Sequence, residues 1–147
     1  MRPEILNELG LEDAIVWHLK EFEKNTRIKT EFENMIDNLD DLTQDRTTSI
    51  FRILQETMTN ILRHAEASRV KVRLEKTGNY LNLTVKDDGV GIEHEELDKP
   101  DSLGITGMRE RAHLLGGTIH FEGEKGVGTR VTLEIPVEEV QTTKPFG

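Results

Sequence analysis

Apolar residues recur at helical spacing in two long stretches and at alternate positions in several short ones. Leu11, Ala14, Ile15, Leu19 and Phe22 fall on one stripe, which predicts a helix from Leu11 to about Lys24 with Asn25 as its stop. Ile28, Thr30, Phe32 and Asn34 then alternate with Lys29, Glu31 and Glu33, a period of two that predicts a half-buried strand. A second helix is predicted from about Arg46 to Glu66, where Phe51, Leu54, Met58, Ile61, Leu62 and Ala65 share a face. Val70, Val72 and Leu74, followed across Thr77-Gly78-Asn79 by Leu81, Leu83 and Val85, predict a hairpin. No period runs through residues 88 to 107, which predicts a long loop before a helix at about Met108 to Leu115. Gly116-Gly117 closes that helix, and Ile119 with Phe121, then Gly126-Val127-Gly128, then Val131, Leu133 and Ile135 predict a second hairpin. Residues 1 to 10, with Pro3 and Gly10 around Ile5, Leu6 and Leu9, read as an extended lead-in that docks on the body, and DNLDDLTQD reads as a loop or short helical turn. The tail over 138–147 is expected to be disordered. Helices mixed with two hairpins predict a two-layer α/β sandwich: a mainly antiparallel sheet with helices on one face, forming one domain over 1–137.

Composition narrows what such a domain does. A chain of 147 residues with 35% hydrophobic content can bury one core without disulfides or metals. Nineteen basic against 28 acidic residues leave a formal charge of −9, which argues against a nucleic-acid footprint. Cysteine is absent, in keeping with a reducing cytoplasm, and no thiolate metal site is possible. No segment approaches the roughly 20 apolar residues of a membrane span, so a soluble chain without direct membrane contact is expected.

Three stretches carry candidate chemistry. In QETMTNILRHAEAS, Glu56, Asn60 and Arg63 share a narrow sector opposite the apolar face, with His64 at its edge. A mixed outer face is an ordinary solvated surface, but a carboxylate and an amide one turn apart can also hold hydrated magnesium, with cations beyond them facing phosphates. In DDGVGI, Gly89 and Gly91 would let a flat ligand approach the backbone, and Asp87 offers an acceptor to an amine such as that of adenine. A plain turn is the simpler alternative, and a calcium loop fails on the spacing of its acidic residues. In SLGITGMRERA, Gly104 and Gly107 are expected just before a helix, where free backbone N–H groups suit phosphate. Neither a Walker A loop nor a dinucleotide fingerprint occurs.

Taken in order, ExxxN in QETMTNILRHA, DDGVG, GITGM and GVGTR resemble the N, G1, G2 and terminal GT elements of the ATPase superfamily of histidine kinases, gyrase, MutL-type proteins and heat-shock chaperones. RPEILNELGLEDAI, QETMTNILRHAEAS and GITGMRERAHLLGG are most similar to the nitrate-sensor type of two-component histidine kinase, and the likeness covers residues 2 to about 137. The resemblance implies a Bergerat-type fold and ATP with Mg2+ as cofactors. Asn60 would coordinate magnesium, with Glu56 assisting through a metal water or as a base, and Arg63 and His64 would lie near the phosphates. Asp87 would take the adenine amine, Gly89, Gly91 and Ile92 would shape its pocket, and Thr129 would support that end. Gly104, Gly107 and Met108 would form the hinge and phosphate side of a lid.

The same resemblance implies a phosphoacceptor histidine on an upstream helical dimerisation domain, which makes residues 1–147 the catalytic ATP-binding half of a parent expected to be a homodimer, compatible with a membrane anchor on that parent, while this fragment is expected to be a monomer. A response regulator would be an indirect partner. None of His18, His64, His94, His113 and His120 has the setting of an acceptor, and the short segment between the boxes leaves little room for an extra aromatic motif seen in other kinase classes. Trp17 and Tyr80 are expected to be packing residues. The function expected is γ-phosphoryl transfer to the partner's histidine. The alternatives are a serine kinase of the anti-sigma-factor type, which the RPEILNELGL lead-in disfavours, and a nucleotide-holding module without transfer.

Overall fold

A computed structural model of the chain describes residues 3–39, 42–92 and 103–137. His94, residues 93–102 of the long loop, residues 40–41 of the acidic segment and the tail over 138–147 lie outside the described residues.

Five strands form one sheet in the order β1-β2-β3-β5-β4: β1 Lys29–Asn34, β2 Arg69–Thr77, β3 Tyr80–Asp87, β4 Thr118–Glu124 and β5 Gly128–Pro136. The β1–β2 pair is parallel and the other three are antiparallel: β2–β3 and β4–β5 are the two predicted hairpins, and β3–β5 joins them. Val70, Val72 and Leu74 on β2, Leu81, Leu83 and Val85 on β3, and Val131, Leu133 and Ile135 on β5 are buried at alternate positions, so a single face of the sheet is apolar. Helices α2 (Leu11–Thr26), α3 (Gln44–Asn60) and α4 (Ile105–Leu114) supply its cover through Ile15, Leu19, Ile50, Phe51, Leu54, Met58, Met108 and Ala112. The mixed sheet with helices on one face is the predicted sandwich.

Four local features depart from the periodic reading. Residues Glu4–Leu9 form a short helix, α1, where an extended segment is predicted. Pro3 starts it without needing an N–H, Gly10 at φ 83° turns the chain directly into α2, and Leu6 is buried while Leu9 is 43% exposed. Helix α2 continues past Asn25 because Arg27 caps it in the left-handed region, its N–H donating to Glu23 O at 2.8 Å. The Glu23 carboxylate then accepts from the N–H and hydroxyl of Thr30, joining α2 to β1. Trp17 and Tyr80 are 46% and 49% exposed and are not the packing residues expected.

The largest departure ends α3. Thr43 starts the helix, its hydroxyl accepting from the Arg46 N–H, but from Ile61 to Ala65 the chain forms a π-turn. A wider turn breaks the 100° spacing on which the placement of Leu62 rested, and Leu62 is 53% exposed. Glu66, left-handed at φ 51°, ends the element. Finally, α4 begins three residues earlier than predicted, because Gly104 at φ 66° serves as its N-cap. The helix ends as predicted: Gly117 N–H donates to Ala112 O and Gly116 N–H to His113 O, the paired bonds of a Schellman stop.

Candidate functional site

The cleft opens where α3 and its π-turn end, above the edge formed by the end of β3 and the start of β5. Asp87 is the last residue of β3 and pairs across the ladder with Thr129 on β5, so alternation places both on the helix-covered face. Asn60, Ile61, His64 and Ala65 line one wall, Gly91 and Ile92 another, and Leu103 and Ile105 a third. The lining is mostly apolar with a few polar groups, the usual make-up of a small-molecule site.

Asp87 is a buried carboxylate, 5% exposed. Burial pushes its pKa above the ordinary carboxylate value, against the opposing pull of the Gly89 N–H, which donates to Oδ1 at 2.8 Å, and of the Thr129 backbone; neighbouring Asp88 adds a smaller upward push. No salt bridge neutralises it among the described residues. Asp88, one residue on, does the opposite job. Its carboxylate accepts from the Ser68 hydroxyl at 2.7 Å and from the Ser68 and Arg69 N–H groups at 2.8 and 2.9 Å, which lowers its pKa to about 2 and ties the loop to the start of β2.

The two glycines of this loop answer to the protein's own backbone. A Cβ on Gly89 would collide with the Ala65 carbonyl, and one on Gly91, at φ 89°, with the Glu124 carbonyl. The close approach they permit is that of the π-turn and the β4–β5 turn, where Val90 N–H donates to Ala65 O and Gly126 N–H to Val90 O. Gly91 and Ile92 nevertheless line the cleft, and Ile92 N–H donates to Thr129 Oγ1 at 2.8 Å. Thr129 therefore braces the loop beside Asp87.

On the opposite side, Asn60 Nδ2 donates to Leu103 O at 2.7 Å. A carbonyl can only accept, so the amide orientation is fixed and Oδ1 is the atom left for a cation. Glu56 lies beside Gly104: a Cβ there would stand 2.6 Å from Glu56 Oε2. Glu56 and Asn60 thus meet the chain on both sides of the Leu103–Gly104 peptide. Gly107 falls inside α4 rather than ahead of it, and a Cβ there would meet nothing within 4 Å. Met108 is a core residue, 2% exposed, with Thr57 Oγ1 3.7 Å from its sulfur. Arg63 is exposed on the π-turn and, with Glu56 and Gly107, is not part of the cleft lining among the described residues, whereas His64 is.

Phe121, Val131, Leu103, Ile105 and Thr57 also line the cleft without having been singled out from the sequence. For Thr57, Phe121 and Val131 the only signal was helix or strand periodicity, which marks an inward side chain but not whether core or cleft lies in front of it, and Leu103 and Ile105 fall in the stretch without a period. Among the described residues, no three His, Asp or Glu side chains gather in the manner of a metal cage. An ion shared between one or two protein oxygens and a bound phosphate is compatible with Asn60 Oδ1 and Glu56.

A mixed five-stranded sheet, helices on one face, and a buried acid flooring a cleft at the sheet's end define a small-molecule-binding α/β domain. The sequence profile described as "Histidine kinase-, DNA gyrase B-, and HSP90-like ATPase" matches residues 45–139, and the chain belongs to that family. It is 34% identical over 139 residues to the oxygen sensor histidine kinase NreB of Staphylococcus carnosus (strain TM300), covering 95% of this chain and 40% of that protein. The blue-light activated histidine kinase of Erythrobacter litoralis EL346 superimposes with a TM-score of 0.74 at 26% identity, over 90% of this chain and 43% of that one. The nucleotide-free catalytic domain of histidine kinase ThkA shares the fold, with a TM-score of 0.69 at 23% identity over 89% of this chain and 91% of that one. Membership in an ATPase family means that ATP is the nucleotide bound. No helix among the described residues is long and apolar enough to cross a membrane.

Proposed function

We propose that the chain binds Mg-ATP in this cleft and delivers the γ-phosphoryl group to a histidine on a helical dimerisation domain of its parent protein, on the cytoplasmic side. The observation that carries this reading is Asp87, a buried acid without a cation partner among the described residues, at the floor of an apolar cleft. Such a group is costly to keep ionised unless a ligand donates to it, and the amine of adenine is a donor of the right kind.

With the base at Asp87 and Thr129, the phosphates extend toward Asn60, His64 and the first turn of α4. The first backbone bond of that helix runs from Met108 N–H to Gly104 O, so the N–H groups of Ile105, Thr106 and Gly107 have no acceptor within the helix. They suit a phosphate, and an exposed helical glycine that no packing requires leaves its backbone open to one. Asn60 Oδ1 and Glu56 would hold magnesium, which would supply positive charge against the phosphates. His64 lines the cleft as a hydrogen-bond partner for phosphate, and Arg63, exposed on the same π-turn, adds a positive charge on that side. In the transfer, the bond from the γ-phosphorus to the β–γ bridging oxygen breaks, a bond to an imidazole nitrogen of the acceptor forms, and ADP leaves. The chain contributes position and charge, which is most of what phosphoryl transfer needs.

The test mixes the chain with a separately produced acceptor domain and ATP labelled at the γ-phosphate. Label on the acceptor histidine that disappears with Asn60→Ala, while the variant keeps its thermal midpoint, is the expected result. Nucleotide binding without any transfer would instead define a module that only holds ATP.

A further inference from the structure

We propose that Phe121 is the stacking wall for the nucleobase and that Arg109 is the positioning residue for its ring, an assignment that rests on the nucleotide reading above. Aromatic residues make up only 5% of the chain, and Phe121 is the single Phe, Tyr or Trp lining the cleft among the described residues. Register fixes where it stands. Asp87 pairs with Thr129, Thr129 with Gly123, and Phe121 with Val131 one rung further along the same face. From Asp87 on β3 to Phe121 on β4 is two strand spacings across and two residues along, about 12 Å, which an Asp side chain, a hydrogen bond and a purine ring together span.

The opposite side of that slot is already built. A Cβ on Gly123 would collide with the backbone and side chain of Ile92, so Ile92 lies directly on β4, held by its bond to Thr129. A flat ring that reaches Asp87 therefore has Ile92 on one side and Phe121 on the other. Phe121 is only partly buried although its neighbours Ile119 and Val131 are 7% exposed each: it packs on the edge of the core and leaves the rest of its surface to the cleft. Behind it, the Arg109 guanidinium stands 5.6 Å from the ring centroid, a cation–π contact from the second turn of α4. That contact leaves the ring's remaining surface to the cleft and links the helix that faces the phosphates to the wall that faces the base.

The experiment follows the adenine H2 and H8 resonances as ATP is added to the whole chain, and measures affinities for ATP and inorganic tripolyphosphate by calorimetry. Stacking on Phe121 shifts both protons upfield in the wild type and in Phe121→Tyr, and the shift is lost in Phe121→Leu. ATP binding by Phe121→Leu weakens roughly tenfold, the size of one base–aromatic stack, and tripolyphosphate binding stays unchanged. Arg109→Gln reduces the upfield shift and leaves tripolyphosphate affinity intact. ATP binding with no ring-current shift in the wild type overturns the assignment while leaving the nucleotide reading standing, and needs no variant to fold. Equal losses for ATP and tripolyphosphate in Phe121→Leu or in Arg109→Gln overturn it as well. A wild type that binds tripolyphosphate but not ATP overturns both readings.

Discussion

Replacing Asp87 by asparagine separates its role in binding from its role in the fold. The Gly89 N–H, at 2.8 Å, and the Thr129 backbone both need an acceptor at this position, so the single carbonyl oxygen of the amide stays with them. The amide nitrogen is then left to face the ligand, where it meets the adenine amine donor to donor. The loss is that of a hydrogen bond to a charged acceptor, about 1.5–3 kcal/mol, or roughly 10- to 150-fold in affinity. ITP, with a carbonyl in place of the amine, gains a donor and should bind the variant no worse than the wild type. Stability moves the other way. Burial raises the native pKa of Asp87 above its unfolded value, so at neutral pH the ionised form costs the native state free energy and an uncharged amide removes that cost. Calorimetry with ATP and ITP, beside a thermal melt at pH 7, reads both effects. In the wild type, Asp87 takes up its proton at a higher pH than an ordinary carboxylate, so ATP affinity falls early on acidification, and Asp87→Asn loses this dependence. Equal loss of ATP and ITP, or a lowered melting midpoint, would refute the reasoning and make Asp87 a structural residue.

Met58→Ala should cost about 2–5 kcal/mol in urea unfolding, because the side chain is 1% exposed, while Leu62→Ala on the π-turn should stay within about 0.5 kcal/mol. Gly104→Ala forces a Cβ into left-handed backbone at φ 66° and against the Glu56 carboxylate. The strain of roughly 1–2 kcal/mol should be accompanied by a loss of phosphoryl transfer larger than that stability change predicts. Asp88 has its pKa lowered to about 2, so the stability it contributes is full above the ordinary value of 3.8 and drains away as pH falls toward 2; Asp88→Asn should flatten that limb of the acid unfolding curve. His18, whose buried Nε2 lacks a partner among the described residues and whose ring meets Phe51 edge-on at 5.7 Å, has its pKa lowered by burial. Its neutral form is the one the fold prefers, so stability should decline as pH falls below 6.5, and His18→Leu should remove that slope in a series of denaturant midpoints.

The two hairpins were legible because Val70 to Val85 and Ile119 to Ile135 alternate cleanly and carry their turns in glycine, and period two fixes which face is buried. The helix carrying Asn60 was legible for the same reason at period 3.6. What escaped is set by tertiary partners. Nothing in ILRHA distinguishes a π-turn from an α-turn, since the Ala65 carbonyl is held by Val90, 25 positions on. The six residues of α1 are too short for a period to declare itself. Gly89 and Gly91 stood out as glycines, but only the structure reveals that they make room for Ala65 and Glu124. Among the candidate residues, Asp87, Thr129, Asn60, His64, Gly91 and Ile92 converge on the cleft from three separate motifs, whereas Phe121 was hidden among ordinary inward-facing strand positions.

The sheet order has a consequence for how this sequence can drift. Strand β1 sits at the edge, held by one ladder to β2 and by α2, and nothing in residues 3–34 lines the cleft among the described residues. That block can therefore accumulate substitutions that change its surface, its length or its attachments while the nucleotide cleft keeps its shape. Changes to the strands β3 and β5 have no such licence, because one ladder carries Leu83, Val85 and Asp87 opposite Leu133, Val131 and Thr129, and a slip of a single residue there would turn the acid of the cleft to the opposite face of the sheet. The domain thus carries a permissive flank and an intolerant centre, and variation in how such a module is attached can proceed without re-inventing what it binds.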